Sequence, residues 1–423
     1  MRPQSTDTEG AAEQLDAADP LRKFREQFHF PLARDGRPVV YFTGNSLGLQ
    51  PKTTRAYVDQ ELDDWARLGV EGHVHAAHPW LPYHEFLTEK MARVVGALPA
   101  ETVVMNSLTV NLHLMLVSFY RPRGERRKIM IERGAFPSDR YAVWSHIATR
   151  GLEPAKCLVE LAPREGEATL RTDDIVAAID EHGDELALVM FGGVNYYTGQ
   201  AFDMPAITAA AHRVGAVAGF DLAHAAGNLE MRLHDWDIDF AVWCSYKYLN
   251  AGPGGVAGAF VHERHAENFE IPRFAGWWGH DKRTRFLMGP EFVPLAGAEG
   301  WQISNPPILQ MAALRASLDI FDEAGMSALR DKSVRLTGHL ERLLDSLGDE
   351  RISVITPRDP QARGCQLSIR VRESDRSLFD SLIARGISAD WREPDVIRVA
   401  PTPLYNSFSD VNAFVHVLRE CLK

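Results

Sequence analysis

The sequence has few cysteines, no excess of positive charge and no long apolar run. In 423 residues it contains four widely separated cysteines and no CxxC pair: Cys157, Cys244, Cys365 and Cys421. This usage is typical of reduced thiols in a cytoplasmic protein. Lys and Arg number 46 against 57 Asp and Glu, and the resulting net charge of −11 argues against a general nucleic-acid binder.

The uncharged and N-terminal segments argue against two further classes. The longest stretch without a charged residue, 102–120, contains Asn, Ser, Thr and His side chains, so it indicates a buried core element and not a membrane span. The first twenty residues are acidic and polar, without the apolar segment that a secretion signal carries. We therefore predict a frayed leader followed by a globular chain.

The middle of the chain alternates helical periodicity with short apolar runs, as α/β domains do. The candidate strands are 128–131, 186–190, 216–220, 240–243 and 256–260. Continuous apolar runs of this kind are typical of a mostly parallel sheet covered by helices on both faces. We predict a large α/β domain at 51–308 that ends in a functional loop rich in Gly, Pro and Trp. Residues 1–50 and 309–423 are predicted to form a smaller α+β domain.

Two polar motifs come directly after predicted strands. They are Asp221-Leu-Ala-His224 and Ser245-Tyr-Lys-Tyr248. Ligands collect at the carboxyl ends of strands in an open parallel sheet, so both motifs should face one crevice. This suits pyridoxal phosphate, which needs a lysine for a Schiff base and a carboxylate to keep its pyridine nitrogen protonated. Lys247 and Asp221 are the candidates, although a lysine after a strand is by itself more often a solvated side chain.

Two further segments suit other parts of the same cofactor. The segment NSLT at 106–109 precedes a helical run and offers backbone N–H groups and a hydroxyl to a phosphate. Asn106 or Ser107 would also serve as a helix N-cap, which is the commoner use of these residues. In the segment AFPSD, Phe136 is placed to cover an aromatic ring and Asp139 to reach its polar edge. The same Pro and Asp are typical of an ordinary helix start, and the two interpretations are compatible.

Three other features allow more than one interpretation. Three closely spaced histidines suggest a metal site: His73, His75 and His78. The Pro-Trp pair that follows bends the chain and favours a substrate-contacting loop instead. Arg398 lies in an apolar strand, where an arginine is most often an edge or snorkelling residue. The functional alternative is that Arg398 binds a substrate carboxylate through two parallel hydrogen bonds. The glycines at 252–257 do not predict a dinucleotide site, because an apolar strand follows where a helix is required.

Nine segments of the chain, taken in order, resemble the kynureninase family. They lie at 41–51, 105–113, 135–139, 196–200, 221–224, 245–247, 276–280, 303–307 and 398–405. The resemblance implies a homodimeric enzyme of the aspartate-aminotransferase fold, which is PLP fold type I. Such an enzyme uses pyridoxal 5'-phosphate to hydrolyse L-kynurenine to anthranilate and L-alanine in tryptophan catabolism. The sequence leaves open whether 3-hydroxy-L-kynurenine is preferred.

The resemblance also implies roles for single residues. Lys247 would carry the Schiff base, Asp221 would pair with the pyridine nitrogen, and Tyr246 would contact the cofactor. Because Tyr246 adjoins Lys247, we also take it as the candidate acid that protonates the product carbon. The other expected cofactor contacts are Leu108, Thr109, Phe136, Asp139, His224, Asn305 and, reaching the site from the partner subunit, Trp277. The expected substrate contacts are Ser46, His73, Asn305 and Arg398. Gly192 stands where some family members have a serine, which puts one polar contact in doubt.

Three alternative functions are compatible with parts of this pattern. A cysteine desulfurase of the same fold needs a thiolate on a mobile loop, whereas Cys365, at the start of an alternating strand, is more typical of a buried structural thiol. A small-substrate aminotransferase would use the same lysine and carboxylate. A metal-dependent hydrolase built on the three histidines would bind no pyridoxal and would be inhibited by chelators.

Overall fold

Helices and strands alternate through most of the chain in the computed structural model, which describes residues 6–423. The α-helices are α1 Thr6–Ala17, α2 Thr54–Leu68, α3 Gly72–His75, α4 Glu85–Val95, α5 Leu108–Phe119, α6 Pro137–Thr149, α7 Pro154–Cys157, α8 Thr172–His182, α9 Met204–Arg213, α10 Ile308–Ala324, α11 Met326–Ser346, α12 Arg376–Ala384 and α13 Phe408–Cys421. Local signals explain their ends: proline opens α6, and Gly69, in a positive-φ conformation, caps α2.

The strands are short and belong mainly to two sheets. They are β1 Phe28–His29, β2 Val40–Tyr41, β3 Gln50–Pro51, β4 Thr102–Val104, β5 Lys128–Glu132, β6 Leu158–Leu161, β7 Leu186–Gly192, β8 Val217–Asp221, β9 Phe240–Trp243, β10 Gly258–Val261, β11 Ile352–Val354, β12 Leu367–Val371, β13 Ile387–Ser388, β14 Asp390–Arg392 and β15 Val396–Val399. Between β10 and α10 the chain forms loops and short 3-10 helices.

The larger sheet has seven strands in the order β4-β10-β9-β8-β7-β5-β6. Its neighbours from β9 to β6 pair in parallel, whereas β10 runs antiparallel to both β4 and β9. Alternate residues of β5 enter different apolar clusters: Met130 packs in one, and Ile129 and Ile131 pack in the other. Because both faces are covered, the strands are apolar throughout, and the predicted α/β architecture with a mostly parallel sheet is confirmed.

The smaller sheet is antiparallel, in the order β11-β12-β15-β14. Side chains of α11, α12 and α13 pack with it in a third apolar cluster, which includes Leu340, Leu382 and Phe414. The N-terminal part of the chain joins this unit, because β2 pairs in parallel with β13 and Phe42 packs against Phe414.

The predicted strands occur with shifted ends. The strand at 240–243 matches β9, whereas β7 extends to Gly192 and β10 begins at Gly258. The strands β4 and β6 were not predicted: β4 has three residues, and the apolar run of β6 is interrupted by Glu160. Helical periodicity in the sequence predicts one long helical region from 309 to about 347, but the structure interrupts it at Gly325, where a φ of +76° separates α10 from α11.

The prediction of a frayed N-terminal leader is wrong for the part of it that the structure describes. Residues 6–17 form α1, Ala12 is buried, and Asp16 accepts hydrogen bonds from the Phe408 and Ser409 backbone N–H groups at the start of α13. A carboxylate at a helix N-terminus is stabilised by the helix dipole, which explains how this polar segment becomes ordered. The first five residues of the predicted leader lie outside the described range.

No helix within residues 6–423 combines the length and hydrophobicity needed to cross a membrane. All four cysteines are free thiols, and Cys421 alone among them is more than marginally exposed.

Candidate active site

A cleft with about 540 Å³ of empty space opens at the carboxyl ends of β5, β7 and β8. Its lining residues are Leu108, Thr109, Glu132, Phe136, Ser138, Asp139, Gly192, Val194, Asn195, Tyr196, Asp221, Ala223, His224, Tyr246 and Lys247. The two strand-end motifs of the sequence therefore meet in one crevice, as the parallel sheet predicts.

An amine and a carboxylate both line this cleft. Asp221 is the last residue of β8, and its Oδ1 accepts a hydrogen bond from the Ala223 N–H at 2.7 Å. Lys247 lies in the turn after β9, with its Nζ 2.9 Å from His224 Nε2. Burial, reinforced by the Lys247 charge, holds the pKa of His224 well below its usual value. The neutral ring thus accepts a hydrogen bond from the Lys247 amine through Nε2.

Three carboxyl groups lie together at the inner end of the cleft. Burial raises the pKa of Asp139 well above its usual value, and the neighbouring Asp221 charge raises it further. Burial also raises the pKa of Asp221. Burial raises the pKa of Glu132 to about 7, and the Glu132 carboxylate accepts a bond from the Gly192 N–H at 3.3 Å. Because Lys247 is the nearby cation in this cluster, the group as a whole favours a further positive charge or a bound proton.

Two helix N-termini meet at the outer wall of the cleft. Helix α5 begins at Leu108 and α6 at Pro137, and the Thr109 and Ser138 hydroxyls lie 3.0 Å apart. Ser107 makes no side-chain bond to the first turn, and the Asn106 side chain donates instead to Asn111 Oδ1. Simple N-capping by Asn106 or Ser107 is therefore the wrong interpretation. Free N–H groups and hydroxyls at two adjoining helix starts suit an anion such as a phosphate.

Aromatic rings form the open side of the cleft. Phe136 is half exposed and contacts Tyr196 edge-on, with ring centroids 5.3 Å apart. The Lys247 Nζ lies 5.9 Å from the Phe136 ring centroid and 6.0 Å from that of Tyr246. Burial raises the pKa of Tyr246 above its ordinary value, so its hydroxyl keeps its proton at neutral pH.

Arg398 lies beside the cleft, in a central strand. Strand β15 is flanked by β12 and β14, and Arg398 is 1 % exposed, so the interpretation as an edge or snorkelling residue is wrong. Its Nη1 donates to the Tyr196 carbonyl and its Nη2 contacts Asp390. The buried Nε has no hydrogen-bond partner within residues 6–423. Burial lowers the pKa of Arg398 to about 10, which still leaves the guanidinium charged at neutral pH.

Besides Arg398, four of the predicted site residues do not line the cleft of this chain. Ser46 is exposed, and its segment lies against the Lys247 turn, where the Gly48 N–H donates to the Tyr246 carbonyl at 2.8 Å. His73 lies in the short helix α3, and Trp277 and Asn305 lie on the long segment between β10 and α10. Trp277 and Asn305 are exposed side chains.

The three closely spaced histidines have separate environments. His73 contacts the Trp80 ring edge-on, His75 lies 3.7 Å from Glu71 on the surface, and His78 lies 3.8 Å from the buried Glu61. Their imidazoles therefore do not form one cluster, which removes the geometric basis for the metal-dependent hydrolase.

Cys365 is fully buried just before β12. Burial raises the pKa of its thiol to about 12. A buried thiol of this kind is not the exposed thiolate nucleophile of a desulfurase, and the structural interpretation of Cys365 is confirmed.

Several residues of the cleft were not predicted as site residues. Glu132 ends an apolar strand, and a charged residue at that point was the available signal. Asn195 and Tyr196 follow β7, whose carboxyl end faces the cleft, and Ser138 lies inside the predicted AFPSD segment.

The chain is similar to curated proteins over nearly its full length. The family profile "Kynureninase C-terminal domain" matches residues 329–418. The kynureninase of Koribacter versatilis is 62 % identical, with 96 % of each chain covered. That of Myxococcus xanthus is also 62 % identical, with 98 % of this chain and 97 % of the relative covered.

Solved structures share the fold at low identity. A C-DES variant with glycine covalently linked to its PLP cofactor aligns with a TM-score of 0.76 at 18 % identity, covering 94 % of this chain and 99 % of that one. The cysteine desulfurase CsdA of Escherichia coli aligns with a TM-score of 0.76 at 18 % identity, covering 95 % and 98 %. These likenesses show PLP fold type I, and the curated relatives, more than half identical over nearly the full length, show that the chain belongs to the kynureninase family.

Proposed function

We propose that the chain is a pyridoxal phosphate-dependent hydrolase that converts L-kynurenine to anthranilate and L-alanine in tryptophan catabolism. The observation that carries this is the cleft itself, in which Lys247, Asp221 and His224 meet in a chain 62 % identical to curated kynureninases. An aminotransferase of the same fold would use the same lysine and carboxylate. The choice of a hydrolase over an aminotransferase therefore rests on the similarity to curated kynureninases.

The residues of the cleft fit pyridoxal phosphate. Asp139 Oδ1 and His224 Nδ1 are buried polar atoms that lack a hydrogen-bond partner in the part of the chain that the structure describes. The carboxyl cluster favours a positive charge, as the protonated pyridine nitrogen of the cofactor provides. The start of α5 offers N–H groups and the Thr109 hydroxyl to the phosphate, and Phe136 would cover the ring.

Each polar group then has a task in the reaction. Pyridoxal phosphate supplies, when bound, the ring that withdraws electrons from the substrate's α- and β-carbons. Lys247 would hold the cofactor covalently, and its freed amine would remove the α-proton. Asp221 would keep the ring nitrogen protonated. Tyr246, whose hydroxyl keeps its proton at neutral pH, would protonate the carbon left on the alanine side after water has attacked the γ-carbonyl.

We propose that the chain works as a homodimer. Ser46, His73 and Asn305 would then contact substrate together with Arg398, and Trp277 would reach the cofactor of the partner subunit. Support comes from the exposed, apolar character of the β10–α10 segment, which includes Phe274, Trp277 and Phe286. Light scattering would report twice the chain mass, and a purely monomeric active enzyme would contradict the proposal.

We also propose that residues 51–308 form the cofactor-binding domain, and 1–50 with 309–423 the smaller one. The separate antiparallel sheet and its apolar cluster support this division. Hydrogen exchange in increasing urea should then show two cooperative units.

A cytoplasmic location is expected from the free thiols, and cell fractionation would test it.

A spectrum of the purified protein with and without kynurenine tests the main proposal. A visible cofactor band that borohydride bleaches, followed by anthranilate fluorescence on adding substrate, is the expected result. The Lys247→Ala variant should lose the bleachable band and turnover. A colourless protein that stays inactive after pyridoxal phosphate is supplied would contradict the assignment, and 3-hydroxykynurenine run in parallel would show which substrate is preferred.

A further inference from the structure

We propose that Asp390 is a positioning residue for substrate recognition, which holds the Arg398 guanidinium so that its remaining edge meets the α-carboxylate of an amino-acid substrate. The inference rests on the proposed function of the cleft. It explains what holds Arg398, the side chain that would bind the substrate carboxylate. Asp390 does not touch the cleft, so it would act through Arg398.

The register of the smaller sheet places the two residues opposite each other. In the antiparallel pairing of β14 with β15, Asp390 is the direct partner of Arg398. Directly opposed side chains of an antiparallel pair lie close enough to interact, and opposite charges there stabilise the pair. The Asp390 Oδ2 accordingly contacts Arg398 Nη2, and the side chains are 18 % and 2 % exposed.

A second contact fixes the other end of the guanidinium. Arg398 Nη1 donates to the Tyr196 carbonyl, and Gln366 Nε2 donates to the same oxygen at 3.0 Å. Tyr196 lines the cleft, so this contact joins the clamp to the wall of the site. With Nη1 and Nη2 each held, the plane of the guanidinium is set.

The edge left over suits a carboxylate. Arg398 Nε is buried without a hydrogen-bond partner among the described residues, and Nη2 carries a second hydrogen beyond the one that faces Asp390. A buried donor without a partner calls for an explanation such as an absent ligand. Side-on bidentate binding needs the guanidinium plane to be fixed, because two parallel bonds must form at once.

Asp390 also separates two cations. The Asp390 Oδ2 that contacts Arg398 also lies 3.1 Å from Arg392 Nη2. The guanidinium carbons of Arg392 and Arg398 each lie 5.9 Å from the Tyr196 ring centroid. Without the shared carboxylate, Arg398 and Arg392 would repel each other and the clamp would lose its fixed plane. The negative charge of Asp390 also competes with a substrate carboxylate for Arg398. Loss of Asp390 would therefore weaken substrate binding through the lost geometry and strengthen it through the lost competing charge. The proposal is that geometry dominates.

The test compares Asp390→Asn and Asp390→Ala with the control Asp395→Asn. Asp395 has a similarly exposed side chain (21 %) on the same unit and pairs with Arg370 at 3.4 Å, outside the cleft. We expect Asp390→Ala to raise the KM for kynurenine about tenfold or more, with kcat changed less than about threefold. The KM of Asp390→Asn, which keeps an acceptor oxygen, should lie between those of Asp390→Ala and wild type. The KM of Asp395→Asn should match that of wild type.

A ligand without the carboxylate separates positioning from general damage. Affinities for L-alanine and for the decarboxylated analogue of kynurenine would be measured from the change in cofactor absorbance. The Asp390 variants should weaken L-alanine binding and leave the affinity for the analogue and for pyridoxal phosphate unchanged. An unchanged or lowered KM, or equal losses for both ligands, would overturn the proposal.

The outcome is separable from that of the proposed function. If the wild-type protein fails to hydrolyse kynurenine, the proposed function fails, but the contrast between L-alanine and the carboxylate-free amine still tests Asp390. If Asp390→Ala does not fold, the contrast measured in Asp390→Asn decides the question by the same criteria.

Discussion

Glu61 offers a sharp test of how the histidine loop is held. This carboxylate lies on α2, is fully buried, and accepts hydrogen bonds from Trp80 Nε1 at 3.0 Å and the Tyr83 hydroxyl at 2.8 Å. Both donors lie in the segment between α3 and α4, and Trp80 is the ring that His73 contacts. We predict that Glu61→Ala releases this segment from α2.

The expected magnitude follows from the groups left behind. The buried Tyr83 hydroxyl and the partly buried Trp80 N–H each lose their acceptor, at a cost of about 1–3 kcal/mol for a buried donor. Arg315, whose Nη2 lies 3.8 Å from Glu61, would become an uncompensated buried cation, and breaking such a pair costs about 3–5 kcal/mol. These penalties overlap, so we expect Glu61→Ala to destabilise the segment by about 3–5 kcal/mol. Glu61→Gln keeps an acceptor for one donor and should cost about 1–3 kcal/mol.

Amide hydrogen exchange of residues 76–84 is the direct assay. Because about 1.4 kcal/mol corresponds to a factor of ten, Glu61→Ala should speed local exchange by roughly 100- to 4,000-fold. Glu71→Ala is the control, since Glu71 is an exposed acid beside the same loop and pairs with the exposed His75. An effect of Glu61→Ala below about 1 kcal/mol, or equal effects of both variants, would refute the reasoning.

Two further predictions concern the cleft. Burial raises the pKa of Glu132 to about 7, above its unfolded value, so ionisation costs the folded protein stability as pH rises from 4.5 through 7. The difference in Tm between Glu132→Gln and wild type should therefore grow in favour of the variant across that window, and calorimetry showing the opposite slope would contradict this. A Cβ at Gly48 would lie 2.3 Å from the Lys247 carbonyl oxygen, so Gly48→Ala should displace the lysine turn. Equilibrium dialysis should show weaker cofactor binding, whereas unchanged binding would mean that the turn adapts.

The fold was largely predictable because the large sheet is covered on both faces. Its strands are continuous apolar runs, and their type follows from composition alone. The direction of β10 was not predictable, because a strand of the same composition fits a parallel or an antiparallel neighbour. The break at Gly325 has a local signal, but a glycine within a helical pattern is often tolerated and does not by itself end a helix.

The order of the N-terminal segment was missed for a different reason. Its residues are polar and weakly amphipathic, and local propensity therefore favours disorder. Asp16 becomes ordered because it binds the start of α13, almost four hundred residues away in sequence. Such a contact is invisible to any argument from local pattern.

In the site, polar residues at strand ends were predictable, and the acids that hold the histidine loop and Arg398 were not. Asp221 and Lys247 attract notice because they follow apolar strands whose ends must meet. Glu61 belongs to a helix rich in exposed charges, and Asp390 to a strand of three residues, so both look like surface acids in the sequence. Their partners identify them, and the partners depend on packing and register.

The Asp390–Arg398 pair shows how strictly register decides this. Side chains alternate across a strand, so a slip of one residue between β14 and β15 would turn Arg398 away from Asp390. The same slip would bury Arg392 or Arg398 against apolar residues without an acid, which is costly for a charged group. The ion pair therefore favours the register that aims the clamp at the cleft, and the apolar pair Trp391 and Ile397, which packs in the third cluster, favours the same register independently.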